Sequence, residues 1–143
     1  MRSNIKKIDS VFKAFAESHA LINSYKSFDY DGHSNNNEYP LLWADMNHRK
    51  VDVKSGSLNP VIPIFILIGP EAGDSGIMAA EAEQLAYDFL THFAENEDAY
   101  SFECSIESEL TPVMDTVDKA EGTMFDVKIM YRASQNQCEI PLG

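Results

Sequence analysis

One run of eight apolar residues constrains the fold of this chain more than any other feature. Residues 61–68 read Val, Ile, Pro, Ile, Phe, Ile, Leu and Ile, without a charged side chain among them. A strand of this sequence is apolar on both faces, so both faces must be covered by other parts of the protein. A helix and sheet of the same subunit could cover them, and so could a helix on one side and a neighbouring subunit on the other.

Two amphipathic helices are predicted, one before and one after this strand. The spacing of apolar residues predicts the first over residues 4–24. The second is predicted to begin at Asp74 or Ser75, which can cap the free amides, and to end near residues 95–97. Each has one apolar stripe and therefore one buried face. The stripes consist of Ile5, Ile8, Phe12, Phe15, His19 and Ile22 in the first helix, and Met78, Ala82, Leu85, Phe89 and Phe93 in the second.

Alternation of apolar and polar residues predicts further strands before the central run. Residues 39–46 form one of them, with Tyr39, Leu41 and Trp43 on one face and Leu42 and Ala44 on the other. Residues 47–59 contain Val51 and Val53 in alternation, followed by Ser-Gly-Ser. This segment is predicted to hold the end of one strand, a turn and the start of the next strand.

Two late strands are predicted over residues 100–107 and 124–132. Residues 110–122, which lie between them, are polar and contain Pro and Gly, so they are predicted to be a loop or an irregular strand extension. The chain then ends in a short tail, residues 133–143, which Pro141 makes extended. The inward residues are predicted to be Tyr100, Phe102, Cys104 and Ile106 in the first late strand, and Phe125, Val127, Ile129 and Tyr131 in the second.

The predicted element order is α-β-β-β-α-β-β. With 143 residues the chain fits one domain, residues 1–143, with an extended C-terminal tail over 133–143. Too few helices are present for a doubly wound sheet. The fold class is therefore α+β, with a mixed or antiparallel sheet of about four or five strands and two helices.

Acidic residues dominate the second half of the chain. Between Glu71 and Asp126 there are fifteen Asp and Glu and a single Lys, Lys119, and the whole chain has a net charge of −12. Such a charge repels nucleic-acid phosphates and argues against tight nucleic-acid binding, although it also simply keeps a small protein soluble. The acids predicted to lie on outward faces of the second helix and the first late strand are Glu81, Asp88, Glu95, Glu103 and Glu107.

The sequence contains no strong catalytic or metal-binding motif. Residues 29–38 are rich in oxygen ligands, but their spacing does not fit an EF-hand, so a solvated loop is expected. Residues 69–76 superficially resemble a phosphate loop, but they lack Lys and contain two acids. The histidines, His19, His33, His48 and His92, form no His-x-x-x-His pair. We therefore predict no catalytic residue, no metal and no cofactor.

The two cysteines suggest neither a metal knuckle nor a disulfide framework. Cys104 lies in an alternating strand and is predicted to be a buried apolar residue, while Cys138 lies in the tail. No signal peptide is expected at the start of the chain, and residues 61–68 are too short to span a bilayer, which takes about 20 residues. We therefore expect no membrane association and synthesis in the cytoplasm.

The chain resembles the small neck and tail-completion proteins of tailed bacteriophages, and the tail-terminator type in particular. The resemblance rests on the opening helix, the Tyr-Pro-Leu-Leu-Trp-Ala-Asp sequence at 39–45, the strand at 61–68 and the helix at 78–95. The pair of late strands and the Cys-x-Ile-Pro sequence at 138–141 complete it. We associate the first and last of these sequences with phages of Bacteroidetes-type hosts.

The resemblance implies a structural protein of the virion neck or tail, made in the host cytoplasm, and not an enzyme. Copies would form a ring of six or twelve that caps or joins the tail tube and contacts adjacent tail-tube or connector proteins. Genomic DNA would pass through an acidic bore without specific binding. The subunit interface is predicted to involve Val61, Ile62, Ile64, Phe65, Ile66, Cys138 and Ile140.

Two other functions remain open from the sequence. The acidic surface could imitate the charge spacing of DNA, so that the protein would be a binding module or adaptor for a basic partner. Alternatively, Glu103, Glu107 and Asp126 could serve a small metal-dependent hydrolase. The near absence of basic residues in this half of the chain argues against the hydrolase, because such an enzyme would need them to hold a nucleic-acid substrate.

Overall fold

The computed structural model describes residues 5–28, 30, 38–54, 57–115 and 119–131. These residues form three helices, seven strands and 3-10 turns at Met46–His48 and Pro70–Ala72. The helices are α1 (Ile5–Ser18), α2 (Ser75–Glu95) and α3 (Glu97–Tyr100). The strands are β1 (Ser24–Lys26), β2 (Leu41–Ala44), β3 (Lys50–Lys54), β4 (Ser57–Ile68), β5 (Phe102–Ile106), β6 (Thr111–Asp115) and β7 (Ala120–Tyr131).

The sheet is built around β4 and β7, two antiparallel strands of twelve residues each. The outer edge of β4 pairs with β3 at one end and with β2 at the other, and β2 pairs in parallel with β1. The outer edge of β7 pairs with β5 at the end where β3 lies, and with β6 at the end where β2 lies. The strand order is therefore β3-β4-β7-β5 at one end, the β3/β5 end, and β1-β2-β4-β7-β6 at the other.

The α+β class and the mixed sheet are confirmed, but the predicted number of four or five strands is wrong. The described residues form seven strands and three helices rather than two, and the element order differs because β1, β6 and the short helix α3 are additional. β1 has three residues, too few to show a period of two. β6 lies inside residues 110–122, which were predicted to be a loop or an irregular strand extension. Pro112 and the polar composition conceal a separate strand there, which pairs with β7 along its whole length.

Helix α1 is shorter than predicted, because it ends at Ser18 rather than at residue 24. The His19 side chain turns the chain just after the helix, since its Nδ1 accepts the backbone N–H of Leu21 at 3.1 Å. Ile22 is nevertheless buried, as the stripe predicted. The periodic pattern thus identified the buried residue correctly while extending the helix by six residues, nearly two turns, too far.

Both long helices cover the same face of the sheet, and aromatic rings fill the space between them. α1 packs over β1 and β2, and α2 over β4, β5 and β7. Phe12 contacts Phe89 and Phe93 edge to face, with ring centroids 5.1 and 5.3 Å apart. Phe15 contacts Phe89 in the same way at 5.4 Å. Such pairs add to the burial of apolar area that holds helices on a sheet.

The start and the buried stripe of α2 are confirmed. The Asp74 side chain accepts a hydrogen bond from the backbone N–H of Ile77 at 3.1 Å, which satisfies one of the free amides of the first turn. A carboxylate at this position also interacts favourably with the helix dipole. The helix ends at Glu95, and all five predicted stripe residues are buried: Met78, Ala82, Leu85, Phe89 and Phe93.

A side-chain hydrogen bond fixes the end of α1 against α2. The Nε2 atom of His19 lies 3.0 Å from Oδ2 of Asp88. Because Nδ1 of His19 already accepts the Leu21 amide, Nε2 is the nitrogen that carries the proton and donates it to the carboxylate. The pair therefore joins residues 69 positions apart in the chain.

The opposite face of the sheet, called here the helix-free face, carries a second and smaller core near β2. Trp43 stacks on Phe65 with centroids 4.4 Å apart, and Tyr30 meets Trp43 edge to face at 4.8 Å. Leu41 is buried in the same cluster, whereas Leu42 and Ala44 belong to the core under the helices, as predicted. β4 is thus covered on both faces at this end.

The predicted inward faces of the late strands are mostly confirmed. Phe102, Cys104, Phe125, Val127 and Ile129 are buried. Ile106 is not, since 43 % of its surface is exposed. It is the last residue of β5, a strand at the edge of the sheet, and its side chain faces the helix side. Tyr100 belongs to α3 rather than to the strand, but it still packs against the main core.

Gly122 is required for the close approach of β4 and β7. A Cβ atom at this position would lie 1.7 Å from the carbonyl oxygen of Ile66, which is a backbone atom of β4. We predict that Gly122→Ala lowers the free energy of unfolding by about 3 kcal/mol, because one strand must move away from the other. Urea unfolding followed by the fluorescence of Trp43, the only tryptophan, measures this.

Gly76→Ala is the matched control, because a Cβ there meets only the Asp74 carboxylate at 3.6 Å, within a helix. It should stabilise the protein by about 0.5 kcal/mol. Equal effects of the two substitutions would contradict the close approach of the two strands.

The thiol of Cys104 should be unreactive in the folded protein. Burial raises its pKa from 9.0 to about 12. Because the thiolate is the reactive form, we predict that a Cys138→Ser variant reacts with a thiol reagent roughly 100-fold more slowly when folded than in urea, at about pH 8. The raised pKa also contributes stability that is present below about pH 9 and is lost as the pH approaches 12. Equally fast reaction in both states would show that β5 opens readily.

Candidate functional site

The predicted acidic residues lie on two opposite sides of the sheet. Glu81 and Glu95 are exposed on α2, which covers one face. Glu103 alternates in β5 with Phe102 and Cys104, whose side chains are buried under the helices. Glu103 therefore lies on the helix-free face, and Glu107 follows in the same phase. One surface of a single subunit cannot contain both groups.

Most of these acids have no ion-pair partner within the described parts of the chain. Glu81, Glu95 and Glu103 are exposed. The ion pairs among the described residues involve other acids and include none of these three. Asp88 differs, because it is half-buried and bonded to both His19 and Gln84. Asp88 therefore holds the end of α1 against α2, and it does not belong to the exposed acidic surface of α2.

A charged cluster crosses the helix-free face at the β3/β5 end. The Lys128 ammonium lies 2.7 Å from Asp52 of β3 and 3.5 Å from Glu107, which follows β5. The hydrogen bond and charge of Asp52, with those of Glu107, raise the pKa of Lys128 above its ordinary value despite partial burial. The cluster thus joins β3, β7 and the residue that follows β5 around one cation.

Sequence reasoning did not identify this cluster, because Asp52 and Lys128 are 76 positions apart. Lys128 was a recognisable signal, since it stands in the outward phase of a strand within a segment that is otherwise acidic.

The predicted subunit interface divides into two parts. Ile62, Ile64 and Ile66 have no exposed surface and belong to the core under the helices. Val61 and Phe65 point to the helix-free face and are half-buried. Only these two of the five described residues could contact a neighbour. Cys138 and Ile140, and the tail 133–143 that contains them, lie outside the residues that the structure describes.

An exposed apolar surface occurs instead on the ribbon of β3 and the start of β4. Val51, Val53 and Leu58 are exposed by 49, 69 and 48 %. They lie on the helix side of the sheet, since Val51 pairs with Pro60 and Val53 with Leu58. The helices do not extend over this ribbon. Its alternating valines were visible in the sequence, but nothing local indicated that they would remain uncovered.

The geometry does not favour the metal-dependent hydrolase. Glu103 and Glu107 are four positions apart on an extended chain, which separates their Cα atoms by about 13 Å, too far to share one ion. In the described residues no group of three or more His, Cys, Asp or Glu could hold a metal. The calcium-like loop at 29–38 lies almost entirely outside those residues.

The phosphate-loop alternative also loses its basis. A phosphate would need the free amides at the start of α2, and the Asp74 carboxylate already accepts one of them. The same carboxylate places a negative charge where the anion would bind.

Three of the histidines make local structural contacts. His19 bonds to Asp88, His48 to Asp45 at 2.9 Å, and His92 to the Tyr100 hydroxyl at 2.7 Å. Burial lowers the pKa of His92. None of these three pairs includes a Ser, Thr or Cys side chain, and His33 lies outside the described residues.

A small cavity of about 230 Å³ lies beside the end of α1, lined by residues that include Lys13, Glu17 and Tyr25. The Tyr25 hydroxyl donates to Asp9 at 2.6 Å, and burial together with this carboxylate raises the tyrosine pKa. The cavity is smaller than typical ligand sites, which begin at about 300 Å³.

Among the described residues, no helix combines the length and apolar character needed to cross a bilayer. Comparison with known proteins gives no family: no protein-family model matches the chain, and no curated protein matches it. The function must therefore be argued from the surfaces themselves.

The unpaired acids should make stability depend on salt. Repulsion among like charges destabilises the compact state, and salt screens it. We predict that the melting temperature rises when NaCl is increased from about 10 to about 300 mM. A Glu81→Gln/Glu95→Gln/Glu103→Gln variant should show a smaller rise.

Glu17→Gln is the control for this experiment, since Glu17 lies 3.9 Å from Lys13. It should respond to salt as the natural protein does. A melting temperature that falls with salt in the natural protein would show that attractive pairs outweigh the repulsion.

Proposed function

We propose that this protein is a structural subunit of the neck or tail ring of a tailed bacteriophage, of the tail-terminator or tail-completion type. On this proposal the arrangement of two helices on one side of a mixed sheet is a tail-terminator-like fold. The observation that supports it most is the exposed acid of α2 without partner cations, represented by Glu81 and Glu95. A bore that transmits DNA needs repulsive charge that is not neutralised within the subunit.

The uncovered apolar residues of the β3 ribbon also support an assembly. Val51, Val53 and Leu58 are exposed together on one side of a projecting ribbon. Contiguous exposed apolar surface is a common feature of protein interaction sites. On this proposal it contacts neighbouring copies or adjacent tail-tube and connector proteins, while DNA passes without specific binding. The protein would then act in the virion, after synthesis in the host cytoplasm.

The unpaired acids favour one alternative, an adaptor or DNA mimic that binds a basic protein. That function needs a partner of opposite charge and predicts tight binding that salt weakens. A pull-down from infected cells separates the two: recovery of virion proteins alone supports the ring, and recovery of a basic host protein at low salt alone supports the mimic.

The ring itself is tested by negative-stain imaging and light scattering of the purified protein at micromolar concentration. We expect annular particles with a central hole and a mass of six or twelve subunits. A protein that stays monomeric over this range, and that does not associate with tail-tube or connector preparations, would contradict the proposal.

Charge reversal tests whether the acids of α2 face the DNA path. We predict that the natural protein does not retain duplex DNA at about 50 mM salt, and that Glu81→Lys/Glu95→Lys retains it measurably. Glu17→Lys/Glu38→Lys reverses two exposed acids outside the acidic segment and should retain much less. Equal retention by both variants, in a gel-shift assay, would show that the α2 acids hold no special position relative to DNA.

A further inference from the structure

Within the described residues, the sheet has two unpaired edges of equal length at its β3/β5 end. β3 and β5 have five residues each, and each pairs on one side only among the described strands. The edges at the other end are less suited to pairing, because β1 has three residues and β6 contains Pro112, which lacks a backbone donor. An unpaired edge is a template for another strand.

The β3 edge is apolar on one face and basic on the other. Val51 and Val53 are exposed on the helix side. Lys50 is exposed on the helix-free face, because it pairs with Val61. Four residues further along β3, Lys54 occupies a register position on the same face as Lys50. Asp52 lies between these two positions, and its charge is neutralised by Lys128.

The β5 edge has the complementary character on the same two faces. Ile106 is exposed by 43 % on the helix side. Glu103 is exposed on the helix-free face, and the side chain of Glu107 is exposed by 40 %. An apolar residue therefore faces the helix side on both edges. On the helix-free face, Lys50 and the register position of Lys54 on one edge correspond to glutamates on the other.

Strand direction allows the two edges to pair between copies. β3 is antiparallel to β4, β4 to β7, and β7 to β5, so β3 and β5 run in opposite directions. When a second copy is placed beside the first with its helices on the same side, β3 and β5 form an antiparallel pair.

The charges select one register for this pair. Placing Val51 opposite Ile106 puts Lys50 opposite Glu107 and Lys54 opposite Glu103. A shift by two residues in one direction places Lys50 opposite Ser105 and Lys54 opposite Ser101. The opposite shift places Lys54 opposite Ser105, so each shift loses at least one of the two oppositely charged pairs. A shift by one residue would turn the valines to the helix-free face.

We propose that β3 of one copy adds to the edge of β5 in the next copy, in the register that places Val51 opposite Ile106. The contact joins two different surfaces, so repetition gives a closed ring when the rotation closes. This inference rests on the proposed ring and identifies the surfaces that form it.

Disulfide trapping tests the contact in the full chain with Cys138→Ser, which leaves only the buried Cys104. Opposed residues of an antiparallel pair have Cα atoms about 4.5–5.5 Å apart, within reach of a disulfide. With a mild oxidant, Val51→Cys/Ile106→Cys should give a ladder of covalent oligomers that ends at the ring size. An equal mixture of the two single variants should stop at covalent dimers.

Three control variants are needed to interpret the cross-linking result. Each single variant alone should remain uncross-linked, because dimers from Val51→Cys or from Ile106→Cys alone would show like edges pairing and would overturn the proposal. Met114→Cys/Ile106→Cys, which uses a residue of β6 that is 64 % exposed, should also remain uncross-linked. Annular particles without cross-links in the test variant would overturn the edge contact but keep the ring, whereas a strict monomer would overturn both.

A charge swap provides a second measurement that needs no oxidant. Lys50→Glu should weaken assembly at least 10-fold, and adding Glu107→Lys should restore most of the loss, because the pair is reversed rather than removed. Lys26→Glu, at an exposed site on β1, should have little effect. Failure of the second substitution to restore assembly would contradict the register.

Discussion

The pairing of β4 with β7 is the interaction on which the rest of the structure depends. These two strands form the middle of the sheet, and every other strand except β1 pairs directly with one of them. Their close approach requires the absence of a side chain at Gly122. On one face, their isoleucines and Phe125 form the floor on which α2 packs, while α1 lies over β1 and β2 beside it. Without this pair there is neither a surface for the helices nor an edge for the four flanking strands.

The two faces of the sheet have different consequences for function. The helix side holds the apolar core, and its outer surface displays the acids of α2. The helix-free face is apolar near Trp43 and charged near Lys128, where the cluster with Asp52 and Glu107 is located. The chemistry of the described residues provides repulsive charge and unpaired edges rather than a convergent set of reactive groups. The proposed ring subunit would use such features directly.

Local patterns predicted the parts of the fold that local physics determines. The buried stripe of α2 follows from the recurrence of apolar residues at the helical period of 3.6 residues. The Asp74 cap follows from the need to satisfy the free backbone amides of the first turn. β4 was recognisable from composition alone. The short strand β1 and the proline-containing β6 were missed, because their pairing depends on partners distant in sequence.

The surfaces were harder to predict than the elements. Composition could not distinguish Ile62, Ile64 and Ile66, which the chain buries in its own core, from residues that contact a neighbour. It also could not show that Val51, Val53 and Ile106 would remain exposed, since this depends on how far the helices extend over the sheet. The acids on α2 and β5 were identified, but the separation of the two groups by the sheet required the strand register.

Native mass spectrometry over a range of protein concentrations tests the central claim most directly. A ring subunit predicts one closed species of fixed copy number, which replaces the monomer as concentration rises and is not followed by larger species. A monomer at every concentration, or an open-ended series of oligomers, would contradict the account.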